Sequence, residues 1–317
     1  MPSQGPPFVL AADIGGTSMR AALFDRAGTG RGRGSCPTEP ARGILDAADR
    51  LAALLQAARA AAGGAPIAGV GLSTAGPIDP HTGVYDHPPN LTRWHGQTMK
   101  PALERALGLP VWINRDGNLA ALAESRFGPH AGAQNLLYVT VSTGIGGGII
   151  ANGRMATGAR GGAGEVGHIT VLPGGPSCGA GCDGCVEAVA SGTALAARAR
   201  ERIEQGAPSA MLAMAGGDPR ALTSPMVFEA VAAGDPLAAD VLDTGIRYLG
   251  IALGALLNTF DPEVLVLGGA VAHALKPHWD RLLSAVEAHC LPRYAGAVPI
   301  TLTTLGDDVS LLGASAY

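Results

Sequence analysis

The stretch FVLAADIGGTSMRAALF, residues 8–24, places two apolar runs on either side of the turn Gly15-Gly16-Thr17. This pattern predicts a strand, a glycine turn and a second strand. Glycines let the backbone approach an anion closely, so that successive N–H groups and the Thr17 hydroxyl can hold phosphate oxygens. Asp13 would hold Mg²⁺, through water. A plain β-hairpin with a glycine turn explains the same residues.

Residues 136–151 repeat this pattern further along the chain. Two apolar runs flank the turn Thr143-Gly144, and Gly146 and Gly147 lie inside the second run. The chain therefore holds a weak internal repeat, with one glycine turn in each copy. Two such turns facing each other would grip a polyphosphate from both sides.

The lysine motifs of two large classes of ATP-binding proteins are missing. A Walker A loop needs Gly-Lys followed by Ser or Thr, and neither Lys100 nor Lys276 follows a glycine. The Val-Ala-Ile-Lys sequence of protein kinases is also missing. An ATP site in this chain would therefore depend on backbone N–H groups and Mg²⁺.

A third informative stretch is GEVGHITVLPGGPSCGAGCDGCVE, residues 164–187. It contains two carboxylates, one imidazole and three thiols: Glu165, His168, Cys178, Cys182, Cys185 and Glu187. A C-x-x-C pair with a third cysteine four residues earlier, completed by a histidine, is the donor set that tetrahedral Zn²⁺ prefers. Such a closed site would be structural and would pin the loop that carries the carboxylates. A redox C-x-x-C or a loop with buried thiols are the alternatives.

Asp116 and Asn90 are two candidate site residues in the first half of the chain. Asp116 comes two residues after the end of the run 111–114 and precedes a predicted helix over 119–127, at the sheet edge where ligands bind in α/β folds. Asn90 lies in a loop after two prolines, and its amide offers both a donor and an acceptor to a sugar hydroxyl. The alternatives are a helix N-cap for Asp116 and a turn residue for Asn90.

Length and charge restrict the class of protein. The 317 residues, 47% of them hydrophobic, are enough for two domains with real cores. A net charge of −4 argues against nucleic acid as a partner, and no apolar run has the roughly 18 residues that a membrane span needs. The N-terminus lacks the pattern of a signal peptide. Five cysteines, three of them clustered, do not resemble a secreted disulfide framework, so we expect a cytoplasmic protein.

Helical spacing of apolar residues marks the rest of the chain. Helices are predicted over 41–62, 100–107, 192–204, 225–233 and 236–258, with a terminal helix around 311–314. Further strands are predicted over 67–73 and 263–267.

Taken together and in order, the motifs resemble those of the ROK family, which comprises repressors, open reading frames and sugar kinases. The segments are DIGGT, GLSTAGPID, PPNL, DGN with AALAE, STGIGGG, GAGEVGH, the cysteine cluster and VLVLGGAV. The resemblance covers the chain from Asp13 onwards. It implies an α/β, actin-like (ribonuclease H-like) duplicated fold, with ATP and a hexose bound in a cleft between two lobes, and a homodimer or homotetramer. The expected small lobe is 1–117 plus 303–317, and the expected large lobe, with the zinc loop, is 118–302.

The resemblance also implies a role for each site residue. Asp116 is the general base. The residues assigned to the sugar are Gly76, Asn90, Arg115, Asp116, Glu165, His168 and Glu187. The residues assigned to the nucleotide and Mg²⁺ are Asp13, Gly15, Gly16, Thr17, Thr143, Gly144, Gly146, Gly147, Gly268 and Gly269. The residues assigned to zinc are His168, Cys178, Cys182 and Cys185.

This chain departs from the family pattern at two places. Arg115 stands where the family usually has Asn immediately before the catalytic Asp, so sugar recognition changes if this side chain reaches the sugar and is unaffected if it points away. The family's cysteine cluster usually reads C-x-C-G-x-x-G-C, whereas here Ala180 replaces the middle Cys and Cys182 follows two residues later. Cys182 would supply the missing thiolate, and we rank it below the other three zinc ligands.

The resemblance indicates ATP-dependent phosphorylation of a hexose, with glucose converted to glucose 6-phosphate as the first hypothesis. A kinase for fructose or an N-acetylated amino sugar, and a sugar-binding protein without kinase activity, are the alternatives. A sugar-sensing repressor is disfavoured, because only seven residues precede the first strand and the charge is acidic.

Overall fold

Strands and helices alternate along the chain in the computed structural model, which describes residues 7–317. The predicted lack of a signal peptide falls mainly on residues outside this range. The strands are β1 (Phe8–Ile14), β2 (Ser18–Asp25), β3 (Gly30–Pro37), β4 (Ile67–Thr74), β5 (Val111–Arg115), β6 (Leu136–Val141), β7 (Ile145–Ala151), β8 (Arg154–Met155), β9 (Val264–Gly268) and β10 (Ile300–Leu302). The helices are α1 (Ile44–Arg59), α2 (Lys100–Leu107), α3 (Asp116–Phe127), α4 (Val186–Ala190), α5 (Gly192–Glu204), α6 (Met211–Met214), α7 (Ser224–Ala232), α8 (Pro236–Phe260), α9 (Ala270–Ala274), α10 (Trp279–Glu287) and α11 (Val309–Ala316).

The strands form two five-stranded sheets with the same internal order. The first sheet runs β3-β2-β1-β4-β5, and the second, read from its far edge, runs β8-β7-β6-β9-β10. In the first sheet, β1 pairs antiparallel with β2 and parallel with β4. In the second, β6 pairs parallel with β9, as β1 does with β4. The duplication that the two glycine turns suggested therefore extends to the whole sheet, and the predicted α/β duplicated fold is confirmed.

By internal packing the chain forms two compact units. The first comprises 1–134, 148–164 and 303–317, of which the structure describes residue 7 onwards, and the second comprises 135–147 and 165–302. The first unit thus includes α3 and the segment 148–164 in addition to the predicted small lobe. A lobe is defined by its function as well as by its packing, so the predicted boundary between the lobes at residue 117 stays a prediction.

The first unit has an apolar core on each face of its sheet. On one face α1 and α2 cover side chains of β1, β4 and β5, including the fully buried Leu10, Leu72 and Ile113. On the other face α3 and α11 cover Ala11 and Ala22 of the first hairpin. Both faces of the parallel strands are therefore dry, as is usual when helices cover a parallel sheet.

The second unit is organised around the long helix α8. Helices α4, α5, α7 and α10 all pack against it, and its buried positions recur at helical spacing from Leu237 to Leu257. The side chain of Asp235 caps the helix by accepting a hydrogen bond from Ala238 N at 2.9 Å. Over residues 7–317, no helix combines the length and the apolar character needed to cross a bilayer.

The predicted elements are present, with shifted ends in several cases. Helices over 100–107 and 192–204 have the predicted bounds. Helix α3 begins at Asp116, three residues before its predicted start, and α1 is shorter at both ends than the predicted 41–62. Strand β3 was not predicted, because its glycine- and arginine-rich sequence lacks apolar alternation; it forms by pairing with β2 as an edge strand.

Candidate active site

The first glycine turn is held from outside by a buried threonine. Gly15 N donates to Ser18 O at 2.9 Å and closes the turn between β1 and β2. The hydroxyl of Thr38, which is fully buried, donates to Gly15 O at 2.7 Å, and its N–H donates to Thr17 O at 2.9 Å. Thr38 therefore holds both ends of the turn, whose backbone N–H groups could bind an anion.

The structure brings Asn90 against this turn. A Cβ added at Gly16 would lie 3.1 Å from the Asn90 Cβ, which is tighter than ordinary van der Waals contact. Asn90 itself is exposed. Two predicted groups, the phosphate turn and a sugar-binding amide, thus lie side by side in the first unit, and glycine at position 16 permits that contact.

Asp13 forms an ion pair that we did not predict. Its Oδ2 lies 2.7 Å from Arg20 Nη2, directly across the first hairpin, where the two residues are register partners. Arg20 Nη1 lies 3.8 Å from Asp308 Oδ1. Reading the hairpin as an antiparallel pair would have aligned Asp13 with Arg20, so the signal was present in the sequence.

Asp116 is exposed at the first position of α3, directly after β5. Arg115, with an extended backbone, occupies the N-cap position, so Asp116 is not the cap. The Asp116 Oδ1 accepts a hydrogen bond from Gly117 N at 2.7 Å.

A buried amide pair fixes the strand-to-helix junction behind Asp116. The Asn114 Oδ1 accepts hydrogen bonds from Arg115 N at 2.8 Å and from Asn118 Nδ2 at 3.0 Å. Both asparagines are fully buried. The Asn114 side chain therefore satisfies the Arg115 N–H at the junction, after which Asp116 lies at the edge of the sheet.

Arg115 points away from the surface. Only 6% of it is exposed, and its guanidinium donates a hydrogen bond to the carbonyl oxygen of Ala163. A Cβ added at Gly76 would lie 2.9 Å from the Arg115 Cδ, so the side chain also packs on Gly76. Ala163 precedes Glu165 by two residues, and Arg115 thus anchors the segment that leads to this predicted sugar ligand.

Glu124 is a buried carboxyl group on the same helix as Asp116. It is fully buried and accepts a hydrogen bond from the Thr303 hydroxyl. Burial raises the pKa of Glu124 above its usual value, and the hydrogen bond from Thr303 opposes that shift only in part. We did not single out this residue, because nothing in the sequence distinguishes a buried Glu from an exposed one on a helix.

The second glycine turn is held in the same manner as the first. The Thr193 hydroxyl donates to Thr143 O at 2.8 Å, and Gly192 N donates to Ser142 O at 2.8 Å. These donors lie at the start of α5, some fifty residues along the chain. The analogy with Thr38 is structural and not visible in the sequence, because the two threonines occupy unrelated local contexts.

Glu187 lies against this second turn. Its Oε2 accepts a hydrogen bond from Ile145 N at 2.8 Å. Gly146 follows within β7, where a Cβ would meet only the Thr140 methyl group at 3.5 Å. The predicted sugar ligand Glu187 and the predicted phosphate turn are thus joined directly within the second unit.

The cysteine cluster has the geometry of a four-ligand metal site. The ligand atoms of His168, Cys178, Cys182 and Cys185 all lie within 4.8 Å of one another. Cys182 Sγ is 3.2 Å from Cys178 Sγ and 3.3 Å from His168 Nδ1, and Cys178 Sγ is 3.6 Å from the same nitrogen. Such separations suit donors about 2.0–2.3 Å from a common Zn²⁺. Cys182 therefore belongs to the same cluster as the other three.

The thiols of this cluster influence one another's ionisation. Burial raises the pKa of Cys178, but hydrogen bonds from Cys182 and from Ala180 N outweigh it and bring the pKa to about 7. Burial and the neighbouring thiols raise the pKa of Cys182 to about 12. Ionisation of one thiol thus disfavours ionisation of its neighbours, whereas a bound cation would stabilise all of them as thiolates.

His168 connects the cluster to Glu165. Its Nδ1 faces the thiols, while its Nε2 lies 3.9 Å from Glu165 Oε2. A metal-bound histidine commonly has its second nitrogen directed at a carboxylate. The arrangement holds Glu165, which is exposed, beside the imidazole.

The third glycine pair ends β9. A Cβ at Gly268 would lie 2.0 Å from the Tyr138 hydroxyl oxygen, so any larger residue would have to displace the Tyr138 ring. Gly269 has φ +91° and would place a Cβ 2.5 Å from Val141 O. Both constraints are structural; the predicted contact with adenosine stays a prediction.

Comparison with known proteins agrees with these features. The sequence profile described as the ROK family matches residues 9–317. A glucokinase of Halalkalibacterium halodurans is 37% identical over 316 residues, covering 96% of this chain and 92% of that protein. The crystal structure of a ROK hexokinase from Thermus thermophilus superposes with a TM-score of 0.84 at 37% identity, covering 98% of this chain and 97% of that one. A ROK family glucokinase from Streptomyces griseus, in complex with glucose and AMPPNP, superposes with a TM-score of 0.80 at 30% identity, covering 97% and 98%.

The duplicated sheets and the two braced glycine turns define an actin-like sugar kinase fold, as the structural matches do. Within that class the chain belongs to the ROK family.

Proposed function

We propose that this chain is an ATP-dependent hexose kinase that converts glucose to glucose 6-phosphate. The observation that carries the proposal is the exposed Asp116 carboxylate at the start of α3, within a chain of the ROK family. The glucokinase of Halalkalibacterium halodurans and the Streptomyces griseus glucokinase with glucose and AMPPNP support the same substrates.

Asp116 acts as the general base. The acceptor hydroxyl, O6 of the hexose, attacks the γ-phosphorus of ATP while its proton passes to the carboxylate, and the bond from phosphorus to the bridging oxygen of ADP breaks. Such transfer depends mainly on positioning and on neutralising charge. An ordinary carboxylate suffices, because the alcohol becomes acidic only as the P–O bond forms.

Sugar recognition is assigned to four polar side chains. Asn90, packed on Gly16, and Glu165, beside His168, hydrogen-bond ring hydroxyls. Glu187 and His168 remain assigned to the same sugar. A hydroxyl of the wrong configuration would leave one of these polar groups unmatched once the sugar covers it, which rejects epimers more strongly than loss of apolar contact does.

Arg115 points away from the surface, the case in which we expected sugar recognition to be unaffected, but its contacts favour an indirect effect on recognition. Its guanidinium binds Ala163 O instead of standing at the surface, so it fixes the segment before Glu165 and packs on Gly76. We infer that Arg115 and Gly76 shape the sugar site without donating to the sugar. The family's Asn, which is shorter, would not reach the same carbonyl in this way.

ATP is held by backbone N–H groups and Mg²⁺. Residues Gly15 to Thr17 and Thr143 to Gly147 form the two phosphate turns, and Gly268 and Gly269 lie beside the adenosine. Mg²⁺ supplies neutralisation of phosphate charge when bound. Asp13 is the assigned ligand, and its ion pair with Arg20 orients the carboxylate.

The cysteine cluster holds a structural Zn²⁺. The distances among His168, Cys178, Cys182 and Cys185 fit a tetrahedral site with four protein donors. The ion would cross-link the loop and hold His168 beside Glu165. Elemental analysis of the purified chain tests this directly: about one zinc per subunit is expected, and fewer than half would show that the cluster is only a loop.

We also propose a homodimer or homotetramer in the cytoplasm. Phe260 and Leu291 are large exposed side chains of the second unit, and Leu291 N donates to Asn258 Oδ1 at 2.8 Å. Light scattering on the purified protein measures the subunit number, and a monomer at micromolar concentration would contradict the assembly. Clustered free thiols suit a reducing compartment.

Replacing Asp116 by Ala tests the kinase assignment. Turnover with MgATP is expected to fall by a factor of about 10² to 10⁴, the usual contribution of a general base. Glucose binding, measured by calorimetry, should persist. Retained turnover would falsify the role of Asp116 as base.

A panel of sugars with coupled ADP detection decides between glucose, fructose and N-acetylated amino sugars, and turnover with none of them would favour a binding protein.

A further inference from the structure

The second glycine turn is braced by a carboxylate from the segment after the cysteine cluster. Glu187 Oε2 accepts the Ile145 N–H at 2.8 Å. A Cβ added at Gly144 would lie 2.5 Å from that same oxygen. The carboxylate therefore lies directly against the turn, and one of its oxygens is committed to the backbone instead of to a ligand.

We propose that Glu187 is a positioning residue for the nucleotide phosphates, and that the cysteine cluster holds Glu187 in place through Cys185. The inference rests on the proposed kinase activity, in which residues 143–147 bind phosphate. It adds a role that an assignment of Glu187 to the sugar alone does not contain, and it couples the metal loop to the affinity for ATP.

The connection from the cluster to the turn is short and buried. Cys185 is fully buried and immediately precedes α4, of which Glu187 is the second residue. Val186 N donates to Ile169 O at 2.9 Å, which ties this junction to the segment after His168. A shift of Cys185 therefore moves the start of α4 and, with it, the carboxylate that braces the turn.

The physical effect of Glu187 on phosphate is geometric. A carboxylate beside a polyphosphate repels it, so Glu187 cannot increase nucleotide affinity by its charge. A hydrogen bond to a charged acceptor, however, fixes the Ile145 N–H more firmly than one to a neutral acceptor. The brace holds the turn in one conformation, so the turn loses less conformational entropy when a ligand binds.

Substitutions of Glu187 separate the effect of its hydrogen-bond acceptor from the effect of its charge. Glu187→Ala removes the acceptor and is expected to weaken AMPPNP binding about tenfold, which corresponds to about 1.4 kcal/mol. Glu187→Gln keeps an oxygen acceptor and loses the charge, so it should weaken AMPPNP binding less than Glu187→Ala does. Glu165→Ala is the matched control: it removes a carboxylate of the same loop and should weaken glucose but not AMPPNP binding.

Gly144 provides an independent test of the contact. Gly144→Ala places a methyl group against Glu187 Oε2 and should weaken AMPPNP binding as Glu187→Ala does. In the Glu187→Ala background the space is open, so adding Gly144→Ala should change the affinity little. This non-additivity is the signature of direct contact. Additive losses would refute the brace. The test does not require any single variant to leave the AMPPNP affinity unchanged.

Metal removal tests the link through Cys185. The chain, depleted with a chelator and checked by elemental analysis, should bind AMPPNP about tenfold more weakly, and zinc alone should restore the affinity. Depletion of Glu187→Ala should have little further effect on nucleotide binding. Unchanged AMPPNP affinity after depletion would overturn the coupling.

Failure of this inference is distinguishable from failure of the proposed function. If the unmodified chain binds neither AMPPNP nor glucose, the kinase assignment fails. If it binds both and Glu187→Ala loses glucose affinity alone, the kinase assignment stands and Glu187 serves only the sugar. Calorimetric titration with each probe gives both answers on the same protein.

Discussion

Replacing Gly313 by Ala is expected to disturb the packing of α11 on α3. A Cβ at this position would lie 1.8 Å from Leu119 O and 2.4 Å from the Leu119 carbonyl carbon. Both are backbone atoms within α3, so no rotamer change can relieve the overlap. The two helices must separate by more than an ångström to restore an ordinary contact, which begins near 3.4 Å.

The expected loss of stability follows from two opposing contributions. Overpacking in a core usually costs about 1–3 kcal/mol, and overlap with backbone places this site at the upper end. Alanine has a better helix propensity than glycine by about 1 kcal/mol, which offsets part of that loss. The net destabilisation is about 2 kcal/mol, equivalent to a melting temperature lower by roughly 4–8 °C.

Differential scanning calorimetry measures this shift, and steady-state kinetics adds a second readout. Because α3 begins with Asp116, displacement of the helix should also lower kcat. Gly162→Ala is the matched control, since a Cβ there meets no atom within 4 Å and its φ is not left-handed. A Gly313→Ala variant as stable as the unmodified chain would refute the argument, because helix propensity would then outweigh the overlap.

Three further predictions concern single side chains. Burial raises the pKa of Glu124 in the folded chain. The contribution of this group to the free energy of unfolding is therefore complete below its ordinary pKa of 4.5 and is lost as the pH rises through the raised pKa. Glu124→Gln should remove that part of the pH dependence in denaturant titrations. Arg115→Asn leaves the Ala163 carbonyl without its donor, which should cost about 1–3 kcal/mol in unfolding free energy and raise the KM for glucose. Cys182→Ser should weaken zinc retention at least tenfold in a chelator competition, because a thiolate ligand is lost.

Each of these predictions has an outcome that contradicts it. An unchanged pH profile in Glu124→Gln would mean that this carboxyl group ionises normally in the folded chain. Arg115→Asn with an unaltered KM for glucose would show that the segment before Glu165 is held without the guanidinium. Cys182→Ser with full zinc affinity would leave three ligands and place Cys182 outside the coordination sphere.

Local sequence determined the turns and helices whose formation depends on neighbouring residues in the chain. The turn at Gly15 and Gly16 was predictable because glycines between two apolar runs favour a tight reversal. Helices over 100–107 and 192–204 were predictable from apolar spacing and from the glycines and caps at their ends. The cysteine spacing likewise identified a candidate metal loop, because ligands close in sequence must lie close in space.

Only the tertiary structure decided how distant segments meet. Thr38 and Thr193 each brace a glycine turn from another part of the chain, and no local pattern marks them. Arg115 faces Ala163 and not the surface, a choice made by the packing around β5. Glu187 reaches Ile145 across more than forty residues. Side-chain direction is set by burial and by hydrogen-bond partners that local sequence does not specify, which is why residue types were predictable and their contacts were not.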